Sequence, residues 1–336
     1  MRYRTRLSAL GVAAAILAGC RPGAGLAATT DALTLEAKIP LGEVAGRLDH
    51  LAIDLAHRRL FLAELGNDSV GVVDLAAGKL LHRIAGLKEP QGVGYVAATD
   101  TLYVANAGDG ALHRYRGSDF SPIDAMTLGD DADNIRVDAG AGRVIVGYGK
   151  GALAVVDAAS GDKTGEIRLG GHPEAFQLDP AGARIYVNVP DAHEVAVIDR
   201  GSAKQVARWR VAEAGDNFPM ALDAAARRLL VVYRRPALLA IFDTASGAVV
   251  AQLATCGDAD DVFVDAKRQR VYVSCGEGAL AVVEKQGDVY RELGRIPTVS
   301  GARTSLFVPE LDRLFLAIRA RGGEHAAIWI YRPSGG

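Results

Sequence analysis

The run Arg184-Ile185-Tyr186-Val187-Asn188, followed after a polar turn by Val195-Ala196-Val197-Ile198-Asp199, decides the fold. Both halves are short, apolar and rich in β-branched and aromatic residues, which marks consecutive strands rather than a helix. Leu102-Tyr103-Val104-Ala105-Asn106 is a sister of the first half, and Val73-Asp74, Val156-Asp157, Phe242-Asp243 and Val283-Glu284 close strands like the second. Upstream anchors keep the same spacing. Ile53-Asp54, Val96, Val137-Asp138, Leu178-Asp179, Leu222-Asp223, Val264-Asp265 and Phe307-Val308 recur at intervals of about 41 to 44 residues, the period of a repeat architecture.

Seven copies of about 42 residues, each a set of short strands divided by Gly, Asp and Asn turns, exclude a helical solenoid and predict an all-β, seven-bladed β-propeller of four-stranded antiparallel blades. The ends supply a test of closure. The last copy stops after its third strand, Ala326-Ala327-Ile328-Trp329-Ile330-Tyr331, whereas an orphan strand, Leu33 to Ile39, precedes the first copy and matches the fourth strands at Thr164 to Leu169 and Gln205 to Trp209. The N-terminal strand is therefore expected to complete the last blade, removing an edge that could template aggregation. Residues 31–336 then form a single domain.

The chain has 336 residues, is 49% hydrophobic and carries a formal charge of −2. It can bury a large core and has no basic excess for wrapping nucleic acid. Arg2, Arg4 and Arg6 precede an apolar run from Leu7 to Ala18, which is too short to span a membrane and has the layout of an export signal. Leu17-Ala18-Gly19-Cys20 looks like a bacterial lipoprotein signal, so residues 1–20 are read as a lipoprotein-type signal peptide ending at the lipidated Cys20. Residues 21–30 form a flexible tether. Ordinary cleavage after Ala27, giving a soluble periplasmic protein, is the alternative. No aspartate follows Cys20, which by resemblance to lipoproteins of Gram-negative bacteria favours the outer membrane. If lipid takes Cys20, then Cys256 and Cys275 form an even pair in an oxidising compartment, as a disulfide requires. They fall at the same end of two adjacent strands; two small buried residues is the competing reading.

In a propeller the residues just before each innermost strand gather at one mouth of the central channel. Those positions are Asp49-His50, Gln91-Gly92, Asp133-Asn134, Glu174-Ala175, Phe218-Pro219, Asp260-Asp261 and Arg303-Thr304. Asn217 stands beside the fifth pair, and the loops around the third and sixth add further aspartates. The ligand-binding set read from this pattern is Asp49, His50, Gln91, Asp133, Asn134, Glu174, Asn217, Asp260, Asp261 and Arg303. Clustered carboxylates bind a cation or hold raised pKa values. Asp133, Glu174 and Asp261 would suit a hard ion such as calcium, and His50 would admit a transition metal. Arg303 could instead neutralise one carboxylate or hold an anionic group. The plainer reading is turn chemistry, since Asp and Asn before a strand close turns through backbone hydrogen bonds.

The anchor aspartates Asp54, Asp138, Asp179, Asp223 and Asp265 repeat uniformly and are read as turn caps. His57, His82, His113, His193 and His325 are read as surface histidines, with His172 near the mouth less settled. Trp209 and Trp329 read as blade packing. The sequence has no Gly-x-Ser-x-Gly turn, phosphate-cradling loop or haem attachment motif.

The strand turn Arg184 to Asn188 with Val195 to Asp199, and Leu102 to Asn106, resembles the Tyr-Val-Thr-Asn repeat of the YVTN-family β-propellers. The resemblance covers the chain beyond the signal and tether. It implies the fold and an exported protein, while its wider relatives include lactonases and lyases whose catalytic motifs have no match here. The expectation is a binding or scaffold protein on the periplasmic side of the envelope, a monomer by default. It would hold a small ligand or an envelope protein partner at the acidic mouth. The alternative is a metal-assisted hydrolase or lyase of lactone-like substrates, with Glu174 or His50 as base and Asp133, Asn217 and Asp261 holding the ion.

Overall fold

A computed structural model describes residues 30–180 and 182–335. The expected signal peptide at residues 1–20, Cys20 among them, and residues 21–29 of the expected tether lie outside the described residues. The rest is organised as seven four-stranded antiparallel sheets. In chain order the innermost strands are Leu51–Asp54, Pro90–Val96, Ile135–Asp138, Phe176–Leu178, Gly215–Asp223, Ala259–Asp265 and Ser305–Val308. Each innermost strand packs against the next, and the seventh returns to touch the first. This closes the sheets into the ring of a seven-bladed β-propeller.

The expected closure holds. Strand Leu33–Pro40 pairs antiparallel with Ala327–Pro333, from Leu33 opposite Pro333 to Pro40 opposite Ala327, with a bulge between Leu35 and Ala37. It is the fourth strand of the seventh blade, in a sheet built otherwise from the end of the chain. Side chains reinforce the join: Lys38 pairs with Glu324 at 3.0 Å and lies 3.9 Å over the Trp329 ring, while Arg313 and Arg332 both reach Glu36.

The repeated aromatic of the second strand is the principal plug between blades. Phe61, Tyr103, Tyr186, Tyr272 and Phe315 are all at most 2% exposed, so each removes a large apolar area from water. The Tyr103 hydroxyl also donates to the Ala158 carbonyl of the next blade at 3.1 Å. Turn capping by the anchor aspartates is visible at four of them. Asp54, Asp138, Asp223 and Asp265 accept the backbone N–H of His57, Ala141, Ala226 and Arg268. Most also tie blades together: Arg200 reaches Asp138, Lys285 reaches Asp223 at 2.6 Å, and Arg268 spans Asp265 and Asp312.

Cys256 and Cys275 form a disulfide with Cα atoms 5.8 Å apart, enclosed in the core between the fifth and sixth blades. The bridge fastens the entry of one innermost strand to the end of the strand beside it.

Candidate functional site

The approach to each innermost strand delivers its residues to one mouth of the channel. There they enclose a cavity of about 110 Å³ lined by Asp49, His50, Gln91, Asp131, Asp133, Asn134, His172, Glu174, Ala175, Phe218, Arg234, Asp260 and Arg303. Eight of the ten residues read from the sequence meet there, Asn217 and Asp261 being the exceptions. Gly92 makes the close approach possible, because a Cβ at that position would lie 1.9 Å from the Asp133 carbonyl oxygen.

Asn217 is fully buried between blades instead. Its amide donates to Asn188 Oδ1 at 3.0 Å and to the Glu194 carbonyl at 2.9 Å. Asn188 in turn donates to the Phe218 carbonyl at 2.9 Å. The asparagine pair thus serves blade packing, and neither amide faces the mouth. Asp261 lies on the far side of a constriction, where its carboxylate accepts the Ser305 N–H at 2.8 Å. Asp133, Glu174 and Asp261 therefore do not converge. Among the described residues no group of three or more His, Cys, Asp and Glu side chains is arranged to hold a metal ion, and the calcium ligand set read from the sequence does not fit this geometry.

The mouth is also less one-sidedly acidic than its sequence. Arg47 pairs with Asp49 at 2.8 Å, and Arg303 pairs with Asp260 at 2.8 Å and with Asp258 at 2.7 Å. Arg234 reaches Asp260 as well, donates to the Ala259 carbonyl at 2.8 Å, and lies 3.8 Å over the Phe218 ring, a cation–π contact. Arg47 and Arg234 escaped the sequence reading because it compared only positions directly preceding the innermost strands. The loop after each second strand returns to the same mouth, and the consecutive Arg234-Arg235 at the end of Arg228–Arg235 was the available signal. His172 does line the cavity, donating through Nδ1 to the Gly149 carbonyl at 2.6 Å and lying 3.6 Å from Asp131.

Three lining carboxylates remain outside this neutralisation: Asp131, which is exposed, and the more enclosed Asp133 and Glu174. No arginine or lysine pairs with Asp133 or Glu174 among the described residues, and Asp133 Oδ1 is buried with no hydrogen-bond partner. Asp133 is only 6% exposed. Burial, with Glu174 and Asp49 nearby, raises the Asp133 pKa well above the ordinary carboxylate value. Burial and then Asp260 push Glu174 up to about 8, and the same two causes push Asp49 up to about 7. His50 moves the other way, down to about 3, through burial and then the positive field of Arg136, Arg47 and Arg303. It stands neutral at the constriction, its Nε2 3.8 Å from both Asp49 and Asp133. At neutral pH Glu174 therefore holds a proton, which a bound cation would displace.

Beyond His50 the channel opens into a second cavity of about 480 Å³, which runs along the innermost strands.

The fold and this mouth define a seven-bladed β-propeller with a polar pocket at one end of its channel. No protein-family model and no curated protein matches the sequence. Solved structures do match. The chain is similar to a chain of the Kuenenia stuttgartiensis hydrazine synthase at 18% identity and a TM-score of 0.72, over 89% of this chain and 96% of that one. It is also similar to a chain of a mitotic checkpoint complex at 14% identity and a TM-score of 0.75, over 98% of each. At such identities the likeness shows the fold alone.

Proposed function

We propose that this protein is an exported propeller of the YVTN-repeat type, anchored to the envelope by lipid on Cys20, whose channel mouth binds the ammonium group of a small ligand. The carrying observation is Asp133: a buried carboxyl lining a small cavity, without a hydrogen-bond partner at Oδ1, beside Glu174, with no arginine or lysine paired to either. A buried polar atom without a partner is costly. An ammonium group donating to Asp133 and Glu174 would supply the partner that Asp133 Oδ1 lacks and displace the proton of Glu174.

Calorimetric titration of n-propylamine at pH 6 and pH 8 tests the reading, with calcium chloride titrated in parallel. The expected result is saturable amine binding that is tighter at pH 8 and releases protons, and that disappears in Asp133→Asn with Glu174→Gln. Binding indifferent to pH and to those substitutions, or calcium binding without amine binding, would sink it. Labelled palmitate incorporation in the intact chain and in Cys20→Ala tests the anchor, since equal labelling contradicts lipidation at Cys20.

A further inference from the structure

The second cavity is unlike the mouth. Its wall is the inner face of the strands, with Ile53, Val93, Val137, Leu222, Val264 and Phe307 among its lining, and Arg136 sits with Asp261 toward the His50 end. At about 480 Å³ it falls in the range of small-molecule pockets, which are mostly apolar with a few polar groups that fix orientation.

Arg136 is the residue without an evident task. Its Nη1 donates to the Ile135 carbonyl at 2.8 Å and to Asn134 Oδ1 at 3.3 Å, and its guanidinium carbon lies 5.5 Å from the Phe176 ring centroid. These contacts fix the plane of the group but leave Nε and Nη2 without hydrogen-bond partners among the described residues, and no carboxylate forms an ion pair with it there. Asp261, the acid nearest in kind, is occupied by the Ser305 N–H. Burial raises the Asp261 pKa well above its usual value, with Arg136 acting in the opposite sense. A guanidinium with Nε–H and Nη2–H unpartnered, at one end of a cavity whose wall carries these aliphatic side chains, complements a planar monoanion with an apolar tail.

We propose that this second cavity binds an amphipathic carboxylic acid, its carboxylate on Arg136 and its alkyl chain along the strand walls. The ligand is distinct from the amine at the mouth, and the two occupy opposite sides of His50. A phosphate monoester is a poorer match, because one arginine would face a dianion beside the Asp261 carboxyl.

Sodium decanoate is the probe, titrated calorimetrically into the purified protein beside decan-1-ol and sodium butyrate. The expected result is one-to-one binding of decanoate, weakened about tenfold or more for the alcohol, for butyrate and in Arg136→Gln, as loss of a charge-assisted pair or of buried chain predicts. The double variant Asp133→Asn with Glu174→Gln should bind decanoate as the unaltered protein does, which separates this site from the mouth. Absence of binding, equal affinity for decanoate and decan-1-ol, or undiminished binding by a folded Arg136→Gln would each overturn the proposal. If Arg136→Gln fails to fold, the comparison of acid with alcohol in the unaltered protein decides alone.

Discussion

Glu174 gives the mouth a measurable signature at the level of one side chain. Its folded pKa of about 8 lies above the ordinary value of 4.5, so the folded protein holds a proton that the unfolded chain has released across that interval. Stability from this group is then fully present at low pH and is lost as pH rises from about 4.5 to about 8. His50 works in the opposite sense, because its folded pKa of about 3 lies below 6.5 and stability falls as acid drives protons onto the unfolded chain. The two trends overlap in part, so a single melting curve against pH is uninformative. The difference between the unaltered protein and Glu174→Gln isolates the carboxyl. The variant should gain melting temperature relative to the parent as pH rises from 5 to 8, and parallel curves would contradict a raised Glu174. Gly92 acts at the same scale from the neighbouring blade, since its missing Cβ admits the Asp133 backbone.

At the scale of strands and loops, the disulfide is the clearest lever. Cys256 and Cys275 close a loop with a sequence separation of 19, for which loop entropy predicts about 3 kcal/mol of stabilisation. Cys256→Ser with Cys275→Ser should lower the unfolding free energy by that order and move the midpoint down, measured by urea unfolding. A midpoint within error of the parent would show the bridge to be thermodynamically idle. The same scale explains what the sequence could and could not disclose. Strand identity, blade count and the Cys256–Cys275 pair were legible because each rests on periodicity or on neighbours along one hairpin. The ring positions before the innermost strands were legible in part, because repetition carries each of them to the same end of the channel. The partners of those residues were not, since Arg234 arrives from the end of a different strand and Arg47 from just outside the compared pair. Asn217 misled for a related reason. Its neighbour Phe218 faces the cavity, but alternation along the strand turns the amide inward, toward Asn188 of the adjacent blade.

For the molecule as a whole, the decisive element is Leu33–Pro40. Deleting residues 31–40 leaves the backbone of Ala327–Pro333 unpaired on one side, exposes the Trp329 face and removes Glu36 from Arg313 and Arg332. The shortened protein should melt lower and associate in a concentration-dependent way in sedimentation, because an uncovered strand edge recruits other chains. A synthetic peptide of Leu33 to Pro40 added in excess should restore both properties. A deleted protein that remains monomeric with the parent's melting temperature would show the seventh blade to be self-sufficient.

The same pairing sets an order of events during synthesis. Lys38 and Glu324 are separated by 286 positions in the chain, so the ring cannot shut until the ribosome has made nearly all of it. The earliest strand must wait, unpaired, for the latest. If the chain is exported as proposed, an export machinery that threads unfolded polypeptide would receive a substrate whose locking step is deferred by design of its topology. Long-range closure of this kind is slow because the loop entropy is lost before the contacts form. The delay that makes such a fold slow to finish would then keep it open for transit.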